Sequence, residues 1–214
     1  MQNIKGPSGF GDAIYTRAIV EWMLKNKSNI YNVQTRYPNI FSDLTVTTSD
    51  LNFHGRVDYD CKYIYQKTNQ ETTQFEDMLN SAKLPQFELT SYLANPDAVK
   101  DKTIVIEPYA PMNGVVTSLS MKPDEQEFFN YVCSHDNIFS IDRQYAWNDL
   151  IDIFNSAKLV ISQQGWAIAL SEMLNIPVVA IFTKRALESD NKFISTITPR
   201  KIITKSTTTS YIME

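Results

Sequence analysis

Three short segments carry residues whose type and spacing suit chemistry. The first is Gly6-Pro7-Ser8-Gly9-Phe10-Gly11-Asp12, which holds three of the six glycines in this chain of 214 residues. Glycine permits positive φ and close backbone approach to a ligand. A glycine loop that runs into a helix start also gathers unpaired N–H groups at the positive end of the helix dipole. The loop lacks the Gly-Lys-Ser/Thr end of a P-loop, and it does not fit the dinucleotide pattern G-x-G-x-x-G. What remains is a tight turn that presents Asp12 at a helix start. A carboxylate there serves either as a general base or as a helix cap.

The second segment is Ser162-Gln163-Gln164-Gly165-Trp166, between an apolar strand and a helix. Polar side chains and a glycine at that junction suit a nucleotide diphosphate lying over the helix N-terminus. An ordinary strand-to-helix turn is the plain alternative. Trp166 can stack on a base or join the core. The third segment is Phe182-Thr183-Lys184-Arg185, after the next strand. Lys184 and Arg185 there can neutralise a diphosphate.

These segments need elements to position them. Residues 3–5 read as a strand and 12–26 as an amphipathic helix, with Ile14, Ala18, Ile19, Trp22 and Met23 at helical spacing. Residues 30–34 read as the next strand, completing a βαβ unit. A short irregular or helical turn is expected at 37–41, a strand at 61–66 and a helix at 71–82. Residues 84–102 carry Pro85 and Pro96 without clear period and read as a linker. Strands are then expected at 103–106, 137–141, 159–162 and 178–182. Helices are expected at 123–134, 147–156 and 166–174. Such alternation predicts parallel sheets covered on both faces. Ile202 and Ile203 suggest a last short strand, followed by a Ser/Thr-rich tail at 206–210.

Composition narrows the function classes. Hydrophobic residues make up 43% and charged residues 21%, as in a packed globule. The net charge of −4 argues against a protein whose main task is to coat nucleic acid. The stretch 160–214 nevertheless carries more basic than acidic residues, which suits a local anion site. Cys61 and Cys133 form no CxxC pattern, so they read as reduced core thiols and no metal is expected. With His54 and His135 as the only histidines and no G-x-S-x-G elbow, a serine hydrolase finds little support. No secretory leader or membrane-spanning run is apparent, so a cytoplasmic protein is expected.

Gly9-Phe10-Gly11-Asp12-Ala13-Ile14, with the helix that follows, resembles the N-terminal signature of the ADP-heptose:lipopolysaccharide heptosyltransferases. A second match runs from Asp149 to Phe182, and Thr103-Ile104-Val105-Ile106-Glu107-Pro108 resembles the first strand of that family's C-terminal domain. The resemblance implies an α/β fold of two Rossmann-like halves with parallel sheets facing a central cleft, the GT-B arrangement. Residues 1–98 would form the acceptor-side half and 99–214 the nucleotide-sugar half. It implies an inverting glycosyltransferase with Asp12 as catalytic base and Gly9, Gly11 and Arg17 on the acceptor-side loop. Gln163, Gln164, Gly165, Trp166, Thr183, Lys184 and Arg185 would bind the donor, with no cofactor or metal needed.

The pattern also departs from that family. The Asp before the donor-loop glycine is Gln163 or Gln164 here, and the His of the following helix is Ile168 or Ala169. The acceptor stays open between a glycan and DNA, the latter as in phage enzymes that glycosylate hydroxymethylated bases. A non-catalytic module that binds a nucleotide or nucleotide sugar is the third reading.

Overall fold

Apolar patterning sets the elements, and the computed structural model describes residues 1–52, 55–63, 73–106, 138–141, 145–163, 165–183, 201–204 and 209–213. The chain divides into two compact units, the first Met1–Tyr92 and the second beginning at Leu93.

The first unit runs β1 (Gln2–Lys5), α1 (Phe10–Asn26), β2 (Tyr31–Gln34), a 3-10 turn at Pro38–Phe41, β3 (Thr47–Ser49), β4 (Tyr59–Asp60) and α2 (Gln74–Ser81). Its four strands lie in the order β3-β2-β1-β4, all parallel. Helix α1 differs from the expected amphipathic helix. Every residue from Asp12 to Val20 is buried, so no polar stripe faces solvent along its first half. A helix covered on all sides has no need of an apolar stripe. It also starts two residues early, at Phe10, which draws Gly11 into its first turn and makes Asp12 its third residue. The core beneath it comprises Ile4, Tyr31, Val33, Ile40, Phe41, Cys61, Met78 and Leu79, each at 1% exposure or less. Burying each of the larger aliphatic side chains contributes about 1.5–3 kcal/mol.

Two expectations need correction in this unit. Of the strand expected at 61–66, residues 61–63 carry no strand and follow β4 at Tyr59–Asp60, while 64–66 lie outside the described residues. Helix α2 begins at Gln74 rather than 71, because Thr73 caps it. Thr73 Oγ1 accepts from the Glu76 N–H at 3.1 Å, and Glu76 Oε2 accepts from the Thr73 N–H at 2.6 Å. This is a reciprocal capping box. The residues after it carry no helix or strand before Lys102, as a linker reading expects. They are nevertheless anchored to α1: Phe87 stacks on Trp22 at 4.7 Å, and Ser91 Oγ donates to Glu21 at 2.9 Å.

The second unit runs β5 (Lys102–Ile106), β6 (Ile138–Ile141), α3 (Trp147–Asn155), β7 (Ala157–Gln163), α4 (Trp166–Met173), β8 (Val178–Thr183), β9 (Lys201–Thr204) and β10 (Thr209–Met213). The sheet order is β6-β5-β7-β8-β10-β9. The first four strands are parallel, whereas β10 runs antiparallel to both β8 and β9. The sheet is therefore mixed at one end, not parallel throughout. The tail read as low complexity enters β10, which forms a hairpin with β9, and so short a connection permits only antiparallel pairing. In α3, Trp147, Leu150, Ile151 and Phe154 recur at helical spacing and are buried. Asn155 closes that helix and holds the incoming chain. Its Nδ2 donates to Leu93 O and its Oδ1 accepts from the Asn95 N–H, both at 2.9 Å. The helix expected at 123–134, with Cys133, lies outside the described residues.

Candidate active site

Strand β1 ends at Lys5 beside Asp60 of β4, and both strands run the same way. The loops that follow them therefore leave at one edge of the sheet, the edge where open α/β sheets bind ligands. Asp12 stands there at the start of α1, only 9% exposed. Its Oδ2 accepts from the Gly9 N–H at 3.0 Å. Its Oδ1 accepts from Tyr63 Oη at 2.9 Å and from Gln74 Nε2 at 2.8 Å. Burial pushes the Asp12 carboxyl above its ordinary value, against the opposing pull of the Tyr63, Gly9 and Gln74 hydrogen bonds. Such a carboxylate holds its proton more readily than one in water.

The glycine loop works differently from the expected tight turn. Gly9 has φ −81° and ψ 156°, open to any residue. Its lack of a side chain matters for space, since a Cβ there would lie 2.7 Å from Asp12 Oδ2. A Cβ on Gly6 would lie 2.5 Å from Thr16 Oγ1, which itself donates to Asp12 O at 2.8 Å. These glycines let the loop pack against α1. Gly11 sits inside the helix.

Arg17, expected on the acceptor-side loop, lies within α1. Its side chain is fully buried, with all five N–H groups engaged. Nε donates to Glu21 Oε1 at 2.7 Å, and Nη1 donates to Ile40 O and to Asp43 Oδ1 at 2.7 Å. Nη2 donates to Asp43 Oδ2 at 2.7 Å and to Tyr92 Oη at 2.9 Å. The Arg17 hydrogen bonds hold the Asp43 carboxyl down at about 2. Burial, followed by the hydrogen bond to Asp43, pushes the Tyr92 phenol up to about 12. Arg17 is thus a cross-link between α1, the turn after Phe41 and the end of the first unit.

In the second unit, β7 ends at Gln163 and β8 at Thr183, neighbouring parallel strands with Gln163 opposite Ile181. The two expected donor loops thus begin at the same sheet edge. Gly165 joins the first to α4 with φ 157° and ψ −158°, a conformation essentially reserved for glycine. Gly165→Ala is expected to cost about 1–3 kcal/mol, read as a lower denaturation midpoint at unchanged slope. Trp166, expected at the donor or in the core, is 4% exposed and packs on Phe154 at 5.8 Å. Gln164, Lys184 and Arg185 lie outside the described residues.

Tyr63 and Gln74 were not foreseen. The Thr73-x-x-Glu76 spacing marks the start of α2 and so locates Gln74 at its first position. Nothing in the sequence pairs it with a residue 62 positions away. Burial, with the neighbouring Asp60 charge adding to it, pushes the Cys61 thiol up to about 12, which makes it an inert core thiol. Among the described residues no group of three His, Cys, Asp or Glu side chains gathers to hold a metal ion. His54 and His135 lie outside them. No helix among the described residues is long and apolar enough to cross a membrane.

No family model and no curated protein matches the sequence. Solved structures do match the fold. The chain is similar to the dodecameric iron-containing heptosyltransferase TibC in complex with ADP-D-β-D-heptose, at 12% identity and a TM-score of 0.60 over 88% of this chain. It is also similar to the iron-containing dodecameric glycosyltransferase TibC from enterotoxigenic E. coli H10407, at 11% identity and a TM-score of 0.55 over 83% of this chain. The match spans 60% and 57% of those chains, respectively. The fold is α/β and resembles that of a glycosyltransferase.

Proposed function

We propose that the chain is a glycosyltransferase that moves a sugar, with inversion, from a nucleotide-diphosphate donor to an acceptor hydroxyl. Its two units act as the acceptor and donor halves of a GT-B enzyme. Asp12 takes the hydroxyl proton as the oxygen bonds to the anomeric carbon. The bond to the diphosphate breaks, and the leaving nucleoside diphosphate carries off the electron pair. The observation that supports this reading is a buried carboxylate of raised pKa at the ligand-binding edge of a parallel sheet. The loops at Gln163–Gly165 and Thr183–Arg185 are assigned to the diphosphate, with Lys184 and Arg185 supplying the charge and no metal ion required. TibC binds ADP-heptose, so an adenosine-diphosphate sugar is the first donor to try, with a glycan as acceptor.

A second reading is favoured by one contact. Asp12 also closes the capping box of α1 through the Gly9 N–H, a role that needs no substrate. Native mass spectrometry with a panel of nucleotide-diphosphate sugars separates the two. One sugar nucleotide is expected to be retained by the folded chain and then cleaved once an acceptor is supplied. Retention without cleavage on any acceptor supports the non-catalytic module. No retention of any donor contradicts both readings.

A further inference from the structure

We infer that Oδ2 of Asp12 is the atom that takes the acceptor proton, and that Tyr63 and Gln74 are positioning residues that reserve it by filling Oδ1. This inference rests on the reading of Asp12 as the base. A carboxylate offers about four acceptor positions, two on each oxygen. Among the described residues, Tyr63 Oη and Gln74 Nε2 occupy both on Oδ1, while Oδ2 takes only the Gly9 N–H. One position remains, and it is on Oδ2. Gly9 keeps the space beside that atom open, since any Cβ there would lie 2.7 Å away.

Gln74 supplies an independent observation. It is 3% exposed, and among the described residues its Oε1 has no hydrogen-bond partner. An unpaired buried carbonyl oxygen is costly, and such exceptions call for a reason. Turning the amide over would set Oε1 against the Asp12 carboxylate. The amide therefore aims its NH2 at Asp12 at the expense of its own oxygen, the kind of local conflict found at functional sites. The capping box at Thr73 and Glu76 fixes the turn of helix that carries it.

The test is the Asp12 carboxyl titration, followed by carbon-13 NMR in the wild type, Tyr63→Phe and Gln74→Met. The groups that set it are Tyr63, Gln74 and the Gly9 N–H, and no ion pair joins Asp12 among the described residues. Each hydrogen bond favours the ionised form, so each variant is expected to titrate at higher pH than the wild type. The acid limb of the transfer profile is expected to move with it. Gln74→Met is expected to melt near the wild-type temperature, because it also removes the unpaired Oε1. If Gln74→Met does not fold, Tyr63→Phe carries the test. An Asp12 titration unmoved in the folded variants overturns the positioning role and leaves the base standing. A folded Asp12→Asn chain with full turnover removes the base itself.

Discussion

Arg17→Ala is expected to cost about 3–5 kcal/mol, the loss that follows when one partner of a buried ion pair is removed. The guanidinium is fully buried and meets three elements at once. Without it Glu21, whose side chain is 8% exposed, loses the cation that favours its ionised form against burial. The Ile40 carbonyl loses its donor. Arg17→Lys is expected to recover little, since an ammonium cannot reproduce the two-pronged contact to Asp43. Domains of this kind carry about 5–15 kcal/mol in total, so a loss this large leaves much of the stability gone. Acid titration adds a signature. The Asp43 carboxyl is held at about 2 in the fold, below its unfolded value. Its contribution is therefore present above that unfolded value and is lost as pH falls through about 2. In Arg17→Ala that part of the acid dependence should shrink, leaving what the Tyr92 hydrogen bond still supplies. Urea denaturation of wild type and variant across pH measures both effects, and a change under about 1 kcal/mol would contradict the cross-link.

Asp12→Asn is expected to lower sugar transfer by about 10²- to 10⁴-fold, the usual contribution of a positioned general base. The fold should survive. Burial raises the Asp12 pKa above its unfolded value. Such a group favours folding below the unfolded pKa, and that advantage is lost as pH rises through the folded one. The wild type is therefore expected to be relatively more stable in mild acid, and the asparagine variant should lack this pH dependence. Loss of turnover with retained stability at neutral pH separates a base from a cap. A cap that is merely structural predicts unchanged turnover, because the asparagine oxygen can still accept from the Gly9 N–H. Thermal melts of the two proteins at several pH values, beside the transfer assay, check this.

Much of the framework was legible because periodicity is local. The βαβ start, α3, α4 and strands β5 to β8 all follow from apolar spacing within short windows. The misses share a physical cause. Thr47–Ser49 is a three-residue polar strand with no alternation to read. Strand β10 begins in a Ser/Thr run that resembles a loop, and only its pairing with β8 and β9 makes it a strand. Arg17 has the composition of a surface residue, and its burial depends on Asp43 and Tyr92, which are remote in sequence. Asp12 itself was legible as a residue. Its environment was not, since Tyr63 and Gln74 reach it across 51 and 62 positions. The glycines were legible as a cluster, although Gly6 and Gly9 provide room against α1 rather than a turn.

The central claim is acceptor-dependent sugar transfer with Asp12 as base. The most direct test is release of nucleoside diphosphate from a panel of nucleotide sugars, with and without a polyhydroxylated acceptor, by the wild type and Asp12→Asn side by side. The account predicts release that requires the acceptor and nearly disappears in the folded variant. Equal release by both proteins would contradict it.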